Sequence, residues 1–386
     1  EFMKLFKSLL VAPATLGLLA PMSATANEIN ITDVAGYSSS EEVQNISEFD
    51  SAKEIAITNS RIDGLEARFN NLEAGSFSET TTASFGVDML VGSVDGSTNE
   101  ATTFDYQMGI GLETSFTGED SLSATIDIGD TGSIAGGSTG LNFDATTNQL
   151  KLDGLTYTFP VGDATIMVGD STDISAVYTG ACGYSSLTDY MGNCGTGNSV
   201  GVGNKGVTAA MSYDFGGGFT LAGGISSTPT DVLGKIGDDT IGFEAAYTAD
   251  NYGVSVGYAS AEATSTTDDV QYATSYIGLN AYYAFDGALP TISVGIESED
   301  SITLGDAYPT KTGYFVGLSF PEVGPGSLDL GLGTAANYSD SDTEYYIYEA
   351  AYAYPINDSV TVTPGIYLRE GTTDQTGIVV KTSFSF

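Results

Sequence analysis

Residues 103–116 read TFDYQMGIGLETSF. Phe104, Tyr106, Met108, Ile110, Leu112 and Phe116 share one parity; Asp105, Gln107, Gly109, Gly111, Glu113 and Ser115 share the other. In a strand, successive side chains point to opposite faces, so this segment has one continuous apolar face and one polar face. The last ten residues, GIVVKTSFSF (377–386), repeat the scheme: Ile378, Val380, Thr382, Phe384 and Phe386 oppose Gly377, Val379, Lys381, Ser383 and Ser385. A terminal strand in water frays and gains little from bare aromatics. Such an ending needs an apolar surrounding.

Outward from 103–116 the alternation recurs between turn signals. It begins near 78–92, with Phe85, Val87, Met89 and Val91 opposite Gly86 and Asp88. It continues near 120–128, 150–160, 163–170, 205–215, 218–226, 239–249, 251–260, 272–286, 288–298, 311–320, 326–336, 343–354, 358–369 and 375–386, giving sixteen segments. Alternate connections are long (93–102, 129–149, 171–204, 227–238, 261–271, 299–310, 337–342, 370–374) and short, the latter including TGED, VGD, GGG, ADN and DGA. An even strand count with long-short asymmetry predicts an all-β chain, a 16-stranded antiparallel transmembrane β-barrel over 76–386. The apolar parity carries Tyr247, Tyr252, Tyr258, Phe285, Tyr314, Phe320, Tyr346 and Tyr354 toward strand ends, where aromatic girdles meet lipid headgroups. A soluble sandwich would need a second apolar layer, and the sequence downstream supplies no amphipathic helices for one. Lys151 and Asp153 break the pattern by sharing parity with Leu155, which calls for a bulge near Gly154 or a place beyond the membrane. Pro364 falls on the lipid parity and costs a ladder hydrogen bond.

The front of the chain fits export. Lys4 and Lys7 precede an apolar run, Leu9–Ala20, and then Ala24-Thr25-Ala26. That is the layout of a secretory signal peptide over 1–26, with Glu1-Phe2 ahead of Met3 read as a cloning remnant. The alternative, a membrane anchor, is disfavoured because the run is shorter than the roughly 20 residues that span a bilayer. Residues 27–50 read as a flexible periplasmic segment. Over 51–75, Ile55, Ile62, Leu65, Phe69 and Leu72 make a short helix, either a trimeric coiled coil or a linker helix resting on the barrel.

Composition excludes several functions. The chain has 50 Asp+Glu against 11 Lys+Arg, a formal charge of −39, and neither His nor Trp. Such charge argues against nucleic acid as a partner and suits saline surroundings, where it is screened beyond about 8 Å. Without histidine there is no Ser-His or Cys-His pair, so no enzyme is expected, and neither a metal site nor a cofactor is expected. Cys182 and Cys194, in an exported chain, are read as a disulfide. Acidic loop residues such as Asp340 and Asp342 lack the glycine and terminal glutamate of an EF-hand and read as solvated charge.

RIDGLEARFNNLEAGSFS (61–78), FDYQMGIGLETSFTGEDSL (104–122) and LTYTFPVGDATIMVG (155–169) resemble the outer-membrane porins of marine picocyanobacteria, a group related to the carbohydrate-selective, OprB-like barrels. The resemblance implies a homotrimer in outer-membrane lipid, passing inorganic ions and small polar solutes, with the longest loop, 171–204, folded inward as a constriction. In that group, text resembling GYSSSEEVQNISEFDS (36–51) leads into an S-layer-homology module; here it passes directly to the short helix, so peptidoglycan or cell-wall tethering is not carried over.

The disulfide would hold CGYSSLTDYMGNC compact, with Asp189 and Tyr190 as constriction candidates. The other reading is an external loop stapled against proteolysis. The lumen parity carries Asp88, Asp105, Glu113, Asp127, Asp214, Glu244, Glu297, Asp329 and Glu349 against Lys311, Arg369 and Lys381. That imbalance in a confined bore predicts a cation-preferring general porin. The alternatives are a substrate-selective porin for sugars or for iron and other metal ions, and a surface adhesion or receptor barrel without transport. Scattered lumen aromatics, Tyr276, Tyr282, Tyr345 and Tyr367, are the only hint of a sugar path.

Overall fold

A computed structural model describes residues 80–96, 100–130, 146–202, 205–230, 232–234, 238–264, 271–287, 289–303, 306–307 and 309–386. The expected signal peptide, periplasmic segment and 51–75 helix lie outside the described residues.

The strands are β1 (Thr81–Asp95), β2 (Thr102–Thr114), β3 (Ser121–Gly129), β4 (Lys151–Val161), β5 (Ala164–Thr172), β6 (Gly206–Gly216), β7 (Phe219–Ser227), β8 (Asp239–Thr248), β9 (Tyr252–Thr264), β10 (Gln271–Ala284), β11 (Thr291–Thr303), β12 (Asp306–Ala307), β13 (Lys311–Val323), β14 (Gly326–Thr334), β15 (Tyr346–Asn357), β16 (Val360–Arg369) and β17 (Gln375–Ser385). β12 is a two-residue hook on the end of β11, which pairs onward with β13. The other sixteen form one wall in chain order, every neighbour antiparallel, and β1 pairs with both β2 and β17. The sheet is a closed 16-stranded antiparallel barrel, without edges to aggregate.

The C-terminal phenylalanine belongs to the seam. Pairing runs from Gly86↔Ser385 to Asp95↔Thr376. Beyond it, Phe85 and Phe386 exchange both backbone hydrogen bonds, at 2.9 and 3.0 Å. Their rings stack 5.7 Å apart on the outside, beside the short-turn rim. Ile378, Val380, Phe384 and Phe386 thus sit on the outer parity, while Val379 is buried inside with Leu90, Val94 and Tyr367. Along the same rim, Phe219, Tyr247 and Tyr252 form a ladder at 4.6 and 5.7 Å, with further pairs at Tyr213–Phe215 and Tyr283–Phe285.

Two departures from strict alternation have local causes. Thr125 faces Gly154 and Ile126 faces Leu152, leaving Asp153 as a bulged extra residue. The bulge lets Leu152 and Leu155 both face outward and returns Lys151 opposite Asp127, while Asp153 reaches Lys205 at 2.7 Å. At Pro364, pairing with β17 is continuous, but pairing with β15 lapses opposite Tyr352–Ala353. The missing N–H falls where the ladder is already interrupted.

Short turns are fixed by side chains. In the β2–β3 turn, Asp120 accepts from the Thr117 hydroxyl and N–H (both 2.7 Å), Phe116 N–H (3.0 Å), Ser115 (2.9 Å) and Tyr157 (2.8 Å). Those donors, led by the Thr117 hydroxyl, hold its carboxyl well below the usual range.

Candidate functional site

Between β5 and β6, residues 173–202 do not project away from the barrel. Two short 3₁₀ turns, Ile174–Val177 and Asp189–Gly195, give it shape, and the Asp173 carboxylate caps the first through the Ser175 N–H at 2.8 Å. Ile174, Ala181, Met191, Cys194, Val200 and Val202 are buried. Ile174 and Val202 pack against Met167, Ala210 and Ala259 of the wall; Tyr184, Met191 and Cys194 pack against Phe315 and Ile347. Cys182 and Cys194 are disulfide-bonded, with Cα atoms 5.7 Å apart.

A loop folded inside a barrel brings backbone N–H groups away from bulk water, and each needs an acceptor. Three wall glutamates supply them. Glu244 on β8 accepts from Thr179 N–H (2.8 Å) and Gly180 N–H (3.1 Å). Glu297 on β11 accepts from Ser199 N–H (2.8 Å), Ser199 Oγ (2.7 Å) and Asn198 Nδ2 (2.9 Å). Glu349 on β15 accepts from Tyr184 OH (2.8 Å), Leu187 N–H (2.8 Å), Thr188 N–H (2.9 Å) and Thr188 Oγ1 (2.7 Å). Asn280 on β10 adds a fourth anchor, receiving the Thr196 hydroxyl at 2.9 Å and donating to the Asn193 carbonyl at 3.1 Å.

Inward-facing glycines beside these anchors let the loop lie flat on the wall. A Cβ on Gly278 would stand 2.0 Å from Ser199 Oγ, one on Gly295 2.0 Å from the Cys194 carbonyl, and one on Gly317 2.5 Å from the Tyr184 ring. All are closer than atoms can approach. The tip residue Leu187 reaches the cluster of Leu90, Val94, Tyr367 and Val379. These anchors therefore cover the inner wall from β8 round to the β17–β1 seam.

Parity places Glu244, Glu297 and Glu349 on the lumen wall, where they do sit, but not in the open bore. They are 1–4% exposed beneath the loop. This corrects their reading as bore-lining charges, because period-two counting is blind to a distant segment laid over the wall.

The other carboxylates stand on β1, β2, β3, β6 and β14, and of these Asp105 and Asp127 are themselves buried. Asp88 on β1 receives Gln107 Nε2 at 3.0 Å and the Ser383 hydroxyl. Asp105 on β2 receives Thr103 Oγ1 at 2.8 Å, and Asp127 lies on β3 opposite Gly109. Glu113 is exposed near the short-turn end of β2; Asp214 is exposed at the rim, capping Gly216 N–H at 2.7 Å; Asp329 takes the Ser319 hydroxyl at 2.5 Å. Salt bridges among the described residues include Lys205–Asp153 and Lys311–Glu299. Lys381 lies on β17 opposite Leu90. Asp189 is exposed on the loop, and Tyr190 is half-buried with the Arg369 guanidinium 4.7 Å above its ring. Of the suggested lumen aromatics, Tyr367 is fully buried and Tyr276 packs on the wall cluster, so neither lies along an open path.

No protein-family profile matches the chain. It is 32% identical over 174 residues to a Nostoc protein described as uncharacterized protein alr4550, a match covering 39% of this chain and 28% of that protein's length. Solved structures align far more completely. OmpT, an outer-membrane protein of Vibrio cholerae, superposes with a TM-score of 0.59 at 10% identity, covering 81% of this chain and 100% of that one. OprB of Pseudomonas putida gives 0.58 at 10% over 80% and 94%, and an anion-selective porin of Comamonas acidovorans 0.56 at 14% over 80% and 99%. The fold is that of outer-membrane porins.

Proposed function

We propose that this chain is an outer-membrane general porin, a passive and cation-preferring path for inorganic ions and small polar solutes. The observation that carries the reading is the inward loop, seated on the wall by Glu244, Glu297 and Glu349; on this reading it narrows the bore, with Asp88 among the carboxylates of the wall. A wide barrel without such a loop would pass solutes indiscriminately; a loop left outside would not narrow it. Asp88 accepts from two neutral donors, Gln107 Nε2 and the Ser383 hydroxyl, which orient its charge without cancelling it. Charge of one sign in a low-dielectric passage concentrates counter-ions there.

Residues Leu9–Ala20 and Ala24-Thr25-Ala26 support export, and the apolar outer parity supports a bilayer around the barrel. A trimer is the assembly proposed, in keeping with the solved trimer form of the Vibrio protein, and a cyanobacterial outer membrane the setting. Reversal potentials of the reconstituted protein across a potassium chloride gradient test the selectivity. A potential of the sign that marks chloride preference would refute it.

A further inference from the structure

On the outer face of β7 to β9, beside the short-turn rim, the wall carries an apolar hollow of about 520 Å³. Phe215, Phe219, Leu221, Ala245, Tyr247 and Val254 line it on that face. Ala245 opens it. It pairs with Leu221 on β7 and Val256 on β9 and lies between Phe243 and Tyr247 along β8, so a methyl group stands where its neighbours are all large. The Phe219 and Tyr247 rings, 4.6 Å apart, wall the hollow toward the rim. Across Phe215 and Gly216 a second hollow, of about 510 Å³, presents Asp163 and Asp214. Tyr213, which shares the outer parity with Met211, donates to Asp163 at 3.3 Å and so draws that carboxylate to the lipid side of the rim. Residues 206–234 and 238–264 hold no lysine or arginine.

We propose that the apolar hollow holds one chain of a bilayer lipid whose headgroup carries no net negative charge. This rests on the porin reading, since it needs a bilayer around the barrel, and adds a partner to it. Inside hydrocarbon the hydrophobic effect does not favour wall over lipid tail, because both are equally apolar; close contact decides. Side chains around an unfilled hollow forfeit dispersion partners, so a chain lying in it makes contacts that a smooth wall does not offer. The volume is that of a ligand site, larger than a gap between neighbouring side chains. The girdle rings set the polar end of the lipid at headgroup level, beside Asp163 and Asp214. Those carboxylates repel a headgroup of net negative charge and accept hydrogen bonds from hydroxyl or ammonium donors.

The test is native mass spectrometry of the barrel released from nanodiscs of equal phosphatidylcholine and phosphatidylglycerol. The intact protein is expected to keep one lipid, phosphatidylcholine about three times as often as phosphatidylglycerol, the size of effect that exposed charges exert in water. Ala245→Trp fills the hollow and should lose that lipid, whereas Ala350→Trp, on the outer face of β15 opposite Leu330, should keep it. Asp163→Asn together with Asp214→Asn should keep the lipid and bring the ratio to about one, a result that does not depend on Ala245→Trp folding. Release of the intact protein free of lipid, equal retention in Ala245→Trp, or a preference for phosphatidylglycerol would each overturn the site. Failure of the intact protein to enter nanodiscs at all would instead sink the porin reading.

Discussion

Replacing Glu349 by alanine removes the acceptor of four loop donors: Tyr184 OH, Leu187 N–H, Thr188 N–H and Thr188 Oγ1. Hydrogen bonds to a charged group contribute about 1.5–3 kcal/mol each, but the carboxylate is itself 4% exposed, and removing it relieves its desolvation. The remainder, set by two backbone N–H groups and two hydroxyls left without an acceptor, is about 3 kcal/mol, at the lower end for breaking a buried charged contact. That shifts the seated and lifted populations of the loop by about a hundredfold. The barrel should persist, because the β14–β15 and β15–β16 ladders use backbone groups. The expected result is a folded, heat-resistant channel with noisy, altered single-channel conductance and new protease cleavage within 173–205. Glu349→Gln, which keeps one acceptor oxygen, should lie between. Wild-type conductance, noise and protease resistance in Glu349→Ala would refute the anchoring argument.

Three further outcomes follow from the same geometry. Gly278→Val places a side chain where Ser199 Oγ already stands, so the loop should be displaced into the bore and conductance should drop without loss of barrel, measurable by bilayer recording alongside circular dichroism. The double change Cys182→Ser and Cys194→Ser releases a short closed loop whose cross-link constrains the unfolded chain by about 3 kcal/mol. It should lower the loop's resistance to proteolysis yet leave conductance near wild type, because the glutamate anchors remain. Asp120 has a folded-state pKa below its unfolded value, so its contribution is complete above the unfolded pKa near 4 and disappears as pH falls through the folded value. The thermal-midpoint gap between wild type and Asp120→Ala should stay constant from neutral pH down to about 5 and narrow only in strong acid.

The barrel was legible because its code is local. Phe104 to Phe116 declare their two faces within one strand, and turn lengths declare the two ends. Even the Asp153 bulge showed as a broken parity around Gly154. The inward seating of the loop was half legible. Loop length and the Cys182/Cys194 pair marked it, but the partners of Glu244, Glu297 and Glu349 lie 64 to 165 residues away in the chain, beyond any periodic pattern. One signal was available: inward glycines beside those glutamates, as in GIE at 295–297 and GFE at 242–244, leave room that a solvated wall does not need. Asn280 and Arg369 gave no such sign, since each depends on what the loop brings to it.

Leu187 packs against a cluster built from residues of β1, β16 and β17. The first and last strands of the cylinder therefore meet over a side chain contributed from the middle of the chain. A tucked segment cannot be threaded into a finished tube as easily as a sheet can curl around it, so the segment acts as a mandrel. The curling sheet finds its final diameter, and the register of its two ends, against an object already in place. Defects that delay tucking would then surface as failures of assembly, before any current could be measured.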